Sequence, residues 1–154
     1  MSHIIYFYSA GEKPFGVFSN FSRHPIFLDG ELWLTTEHYF QAQKFVGHPE
    51  HVEAIQNADR PGVAAKRGRD RNRPLRRDWE EVKDDVMRMA VLAKFEQHEE
   101  LRRILLSTQD AELVENAAHD YYWGCGKDGS GKNMLGIILM EVRAQLAADE
   151  MSQP

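Results

Sequence analysis

Residues 33–45 read WLTTEHYFQAQKF, and the reading of this stretch decides the architecture around it. Thr35 or Thr36 supplies a helix N-cap. Glu37, Gln41 and Lys44 then recur at i, i+4 and i+7, so one face of a helix over 36–45 gathers a carboxylate, an amide and an ammonium. Phe40 and Phe45 anchor that helix in a core. A carboxylate among Trp, Tyr and Phe is partly desolvated, which moves a carboxyl toward the range useful for proton transfer. The competing reading is structural: an acid in a first turn favours the helix dipole whatever else it does.

Upstream, residues 4–9 read as a short strand and 11–16 as a turn. Ser19 and Asn20 follow, held between Phe18 and Phe21. Residues 25–34 read as a β-hairpin, because Asp29-Gly30 suits a type I′ turn. Downstream, helix dominates: 50–58, then a short helix from Pro61 to Gly68. Asp78 and Glu81 form a capping box opening a helix to about Gln97, with Val82, Val86, Met89, Ala90 and Ala93 as its apolar stripe. Further helix covers 99–106, a short strand 113–115. Asn133 caps a last helix to about Ala147, with Leu135, Ile138, Leu139, Val142 and Leu146 inward, and the final few residues are expected to fray. The expected architecture is α+β, mainly helical: one compact domain over 1–154 with a small antiparallel sheet near the N-terminus.

With 154 residues, 42% hydrophobic and 28% charged, the chain has the composition of a soluble globular domain. No apolar run approaches the ~20 residues that span a membrane. The start, MSHIIYFYS, lacks the basic lead of a secretory signal, and the single cysteine, Cys125, has no partner in the chain for a disulfide. Both fit a cytoplasmic location. The net charge of −5 excludes a general nucleic-acid binder. Residues 66–77, KRGRDRNRPLRR, nevertheless carry a net +6, which leaves −11 on the rest. Such an island suits a small phosphate-bearing molecule, or else pairs with neighbouring acids at the surface.

A second stretch, residues 120–133 (DYYWGCGKDGSGKN), holds four glycines, which let backbone approach a ligand and turn N–H groups toward an anion. Asn133 at the next helix start adds an anion position. The stretch lacks the spacing of a Walker A loop. Trp123 offers a surface for a planar heterocycle, and Asp120 sets a carboxylate three residues before it. A carboxylate beside an aromatic platform is what glycosidic cleavage uses, since the sugar C1 develops oxocarbenium character. Trp79 is a second platform or a core staple. The seven histidines form no HExxH pair, so the residues give no metal site. Cys125 is a passive loop residue or a reactive thiol.

Several segments carry a resemblance: Phe7-Tyr8-Ser9, Phe18-Ser19-Asn20-Phe21, Trp33 with Thr36 through Phe45, Gly68-Arg69, Pro74-Leu75-Arg76 with Asp78-Trp79, Ala93-Lys94-Phe95, Tyr122-Trp123-Gly124, Gly131-Lys132-Asn133 and Leu135-Gly136. In this order, along nearly the whole chain, it resembles the YbiA-like, or NADAR, family of N-glycosidases. The resemblance implies a mainly helical fold and a hydrolase of N-glycosidic bonds that needs no metal or other cofactor. Family members act on early riboflavin-pathway intermediates, parting a pyrimidine-type base from ribose 5-phosphate, as metabolite damage control. Others remove ADP-ribose from modified guanine in nucleic acid. The short form is closer to the first group.

The expected reaction is therefore hydrolysis of the base–ribose C–N bond of a ribosylamino-pyrimidinone 5′-phosphate. Glu37 stabilises the oxocarbenium or activates water. Asp120 donates a proton to the leaving base or binds a ribose hydroxyl. Trp123 and Trp79 stack on the base and Asn20 hydrogen-bonds sugar or base. Lys44, Arg69 and Lys132 take the phosphate, and Asn133 completes the binding set. No membrane or obligate protein partner is expected. The alternatives are a glycohydrolase of ADP-ribosylated guanine, a non-enzymatic nucleotide-binding module, and an interaction protein presenting Phe7, Phe18 and Phe21; burial of these three phenylalanines is expected instead.

Overall fold

The computed structural model describes residues 3–153. In chain order its elements are β1 (Ile4–Phe7), a 3-10 turn (Phe15–Phe18), β2 (Ile26–Leu28), β3 (Glu31–Trp33), α1 (Thr36–Gln43), α2 (Pro49–Gln56), α3 (Pro61–Gly68), α4 (Trp79–Gln97), α5 (Glu99–Ser107), β4 (Glu112–Glu115) and α6 (Met134–Met151). The predominance of helix matches the α+β reading. The chain divides into two compact units. One is contiguous, Arg23–Lys94; the other combines Met1–Ser22 with Phe95–Pro154.

In the Arg23–Lys94 unit, β2 and β3 form the expected antiparallel hairpin, pairing Ile26 with Trp33. Asp29 and Gly30 both take positive φ, +56° and +77°, as a type I′ turn requires. The hairpin feeds directly into α1. Thr35 caps that helix, its hydroxyl accepting from the His38 N–H. The buried His38 ring is held at both nitrogens, by Thr35 Oγ1 at 2.8 Å and the Ala58 carbonyl at 2.9 Å. Burial lowers its pKa. Tyr39 donates to Asp29 Oδ2 at 2.8 Å and packs edge-on to Trp33, tying helix to hairpin. Helices α2 and α3 both pack on α1.

The α4 stripe is displaced from the sequence reading. Met89 is 47% exposed, while Met87 and Val91 are buried beside Val86, Ala90 and Ala93. Two adjacent i, i+4 rows are thus covered rather than one narrow seam. The Asp78 carboxylate also departs from its expected capping role: it takes the Arg76 guanidinium in a bidentate pair, Oδ1 at 2.6 Å and Oδ2 at 3.0 Å. A forked ionic partner two residues away outcompetes a single helix amide.

In the other unit, β1 pairs in parallel with β4, Ile4 opposite Glu112 and Phe7 opposite Glu115. The β2–β3 hairpin is the small antiparallel sheet expected near the N-terminus; the parallel β1–β4 pair is a second two-stranded sheet among the described residues, one that the sequence reading does not anticipate. The partner of β1 lies far along the chain, where alternation within a strand gives no sign of it. Helix α6 packs on β4, burying Leu135, Ile138, Leu139, Val142 and Leu146, the five residues expected to face inward. It continues past Ala147 to Met151, through residues of good helix propensity. Pro154, in the tail expected to fray, lies outside the described residues, as do Met1 and Ser2. Phe7 and Phe18 are buried and meet edge to face at 5.7 Å. Phe21 is 40% exposed, so its expected burial is not met, and the three do not form an exposed patch.

Lys94 is fully buried near the end of α4, and burial pushes its ammonium down to about 7. The unfolded chain holds this proton up to the ordinary lysine value, whereas the folded chain releases it near neutrality. Stability therefore rises with pH between about 7 and 10.4, by up to about 1.4 kcal/mol per pH unit from this group. Chemical denaturation at several pH values is expected to show this slope reduced in Lys94→Met. An identical slope in both proteins would rule Lys94 out as its source.

Candidate active site

The face predicted on α1 exists. Glu37 is 7% and Gln41 3% exposed, and Gln41 Nε2 donates to Glu37 Oε2 at 2.7 Å. One turn on, Lys44 Nζ donates to the Gly68 carbonyl at 3.3 Å. It also lies 5.9 Å from the Phe40 ring centre and 5.8 Å from that of Trp79. Burial lowers the Lys44 pKa, and the Glu37 carboxylate opposes that shift. Lys44 is thus a half-buried cation held in place by a carboxylate, two rings and a helix-end carbonyl.

Trp79 is buried and meets Phe40 at 5.0 Å, edge to face. It behaves as the core staple that the sequence offered as its second reading. The basic segment divides by role. Arg67 bonds the Ala54 carbonyl, Arg73 the His51 ring, and Arg76 the Gln43 carbonyl as well as Asp78. Arg69 is exposed at the end of α3 and acts electrostatically on Lys44. Arg71 and Arg77 are exposed too.

Asn20, Asp120, Trp123, Lys132 and Asn133 belong to the other unit. Asn20 is buried just after the 3-10 turn. Asp120 Oδ1 accepts from the Tyr122 and Trp123 amides at 3.0 and 2.8 Å, building the turn that presents the indole. Trp123 packs edge-on to Tyr122 at 4.9 Å, and Lys132 Nζ stands 5.4 Å over the Tyr122 ring. Tyr122 was not singled out for any site role from the sequence; its place between a tryptophan and a lysine emerges only from folding.

The glycine-rich stretch does not form the expected anion cradle. The N–H groups of Cys125, Gly126, Gly131, Lys132, Asn133, Met134 and Leu135 all donate to carbonyls between Glu115 and Cys125. Asn133 stands at the N-cap position of α6, but in the left-handed conformation, and its side chain makes no capping bond. Its amide instead accepts from the Glu115 N–H and donates to the Leu113 carbonyl, both at 2.9 Å. Pairing with otherwise open backbone groups of β4 outweighs a cap that solvent could replace. Among the described residues, no group of three or more His, Cys, Asp or Glu side chains is placed to hold a metal ion. No helix there is long and apolar enough to cross a membrane.

This fold has a solved counterpart. The NMR structure of the Escherichia coli protein YbiA superposes with a TM-score of 0.91, at 52% identity, over all of this chain and 91% of the other. The model of the NADAR domain matches residues 6–147. The chain belongs to the NADAR domain family. N-glycosidase YbiA of Escherichia coli (strain K12) is 54% identical over 96% of this chain and 91% of its own length. N-glycosidase Npun_R5314 of Nostoc punctiforme is 49% identical over 92% of each. Riboflavin biosynthesis protein PYRR of Zea mays is 42% identical over 94% of this chain but only 25% of that longer protein.

Proposed function

We propose that this protein hydrolyses the base–ribose C–N bond of ribosylamino-pyrimidinone 5′-phosphates, early intermediates of riboflavin synthesis. The chain is an N-glycosidase, an enzyme that cleaves N-glycosyl bonds. The relatives named for that activity match it over nearly their whole length. Relatives named for riboflavin biosynthesis support the choice of substrate.

The observation that carries the mechanism is the buried Glu37–Gln41 pair with Lys44 one turn away. As the C–N bond stretches, positive charge grows on C1 and the ring oxygen. A fixed carboxylate stabilises that charge or draws a proton from the attacking water. Lys44 and Arg69 supply positive charge for the 5′-phosphate, and Lys132 is a further phosphate candidate. Trp123 stacks on the base, and Asn20 hydrogen-bonds sugar or base. Asp120 keeps the role of proton donor or ribose-hydroxyl ligand. Its Oδ1 accepts the two amides of the turn.

Incubation with a ribosylamino-pyrimidinone 5′-phosphate, followed by mass spectrometry, is expected to yield free base and ribose 5-phosphate. Release of ADP-ribose from an ADP-ribosyl-guanine oligonucleotide, with the small metabolite untouched, would replace this substrate by the modified nucleic acid.

A further inference from the structure

The Glu37–Gln41 bond belongs to a larger lock. Gln41 Oε1 is buried and has no hydrogen-bond partner among the described residues. It faces Gly68: an ideal Cβ there would stand 2.0 Å from Oε1 and 2.7 Å from Gln41 Cβ. The absent side chain at Gly68 therefore lets α3 press backbone against the Gln41 amide. A weak Cα–H···O contact is the interaction open to Oε1 at that wall. The same Gly68 offers its carbonyl to Lys44. A flipped amide would lose the bond to Glu37 and set its oxygen against the carboxylate, so the orientation with Nε2 toward Glu37 is favoured.

Burial opposes charge on Glu37, and three features of this arrangement favour it. A donor bonded to a carboxylate stabilises its ionised form. Glu37 lies in the first turn of α1, where the helix dipole favours negative charge. The Lys44 cation acts on it from the next turn. Other charged groups that act on Lys44 at this face are Arg69 at the end of α3 and the paired Glu80 and Lys83 of α4. On the remaining elements packed against α1, His51 of α2 meets Glu50 and Arg73, Arg67 of α3 bonds the Ala54 carbonyl and Glu31 of β3 meets Gln56, while Glu53 of α2 and Lys66 of α3 are exposed.

We infer that Gln41, locked against Gly68, is a positioning residue that keeps Glu37 ionised and aimed, so that Glu37 serves as the anionic group of the reaction and not as its proton donor. The inference rests on the reading of Glu37 as catalytic.

The test is a carbon-detected NMR titration of the Glu37 carboxyl in the full chain, without substrate. In the unaltered protein Glu37 is expected to be ionised at pH 7. In Gln41→Leu its midpoint is expected to rise by about one pH unit or more, the usual worth of a hydrogen bond to a charged group. Gly68→Ala is expected to raise it as well, because the new Cβ displaces the amide while leaving Gln41 in the chain. It also stands in if Gln41→Leu fails to fold. On the ribosylamino-pyrimidinone 5′-phosphate, both variants are expected to lower kcat more than they change KM. A protonated Glu37 at pH 7, or a midpoint unmoved in the variants, overturns the inference. Full turnover in Glu37→Gln is a separate result: it removes the catalytic reading of Glu37 even if the titration shifts as expected.

Discussion

Replacing Glu37 by Gln is expected to lower kcat by about 10²–10⁴-fold, the usual contribution of one acid–base group, while the protein still folds. The substitution keeps the shape of the side chain and leaves an oxygen to accept the Gln41 amide at the position where Oε2 now does. What it deletes is the charge. In the ground state the sugar carbon is neutral and feels that loss little, so KM is expected to stay within a few-fold. In the transition state the carbon is cationic, and an amide dipole stabilises it far less than a carboxylate. Near-normal turnover would take Glu37 out of the mechanism. A fall in kcat with an unchanged melting temperature is the pattern of a chemical role.

The second large effect is expected on stability, at Gly136. An ideal Cβ there would lie 2.0 Å from the Leu113 carbonyl oxygen and 2.4 Å from Asn133 Nδ2. Neither neighbour yields easily. The first is backbone of β4, and the second is part of the amide that bonds β4 at Leu113 and Glu115. Gly136→Ala must therefore part α6 from β4 or break those bonds. Overpacking of this kind costs about 1–3 kcal/mol and each lost bond adds about 1, against about 1 regained from the better helix propensity of alanine. For a chain of this length, that is a melting temperature lower by roughly 5–10 °C. Gly62→Ala is the control: a Cβ there meets nothing within 4 Å, and the variant is expected to melt at or slightly above the parent. Equal melting of Gly136→Ala and the parent would show that β4 and α6 do not depend on so close an approach.

What the sequence made legible follows the range of each signal. The α1 face was readable because helical spacing is local: Glu37, Gln41 and Lys44 lie within eight residues, next to a threonine cap. The Asp29-Gly30 turn was readable because its backbone angles are demanding enough to restrict the residues. Contacts between distant segments were not readable. Gly68 looks like any helix-ending glycine until α1 is laid against it, and only then does the space it leaves for Gln41 have meaning. Asn133 has the composition of a cap but bonds a strand some twenty residues earlier. The glycine-rich stretch suggested open amides because composition reports flexibility, while the folded loop spends many of those amides on carbonyls between Glu115 and Cys125. Trp79 fell between two readings for a similar reason: an indole looks alike in sequence whether it packs on Phe40 or on a substrate.

The parallel pairing of Ile4 with Glu112 bears on how the protein is made. During synthesis β1 leaves the ribosome well before β4, and its partner strand appears only after all of Arg23–Lys94 has emerged. The contiguous unit is complete in sequence by then and can begin to fold, whereas the strand ahead of it waits with its edges open. Closing so long a loop carries an entropic cost and slows folding. Nascent chains stalled before β4 are therefore the ones most exposed to mispairing and to chaperone capture.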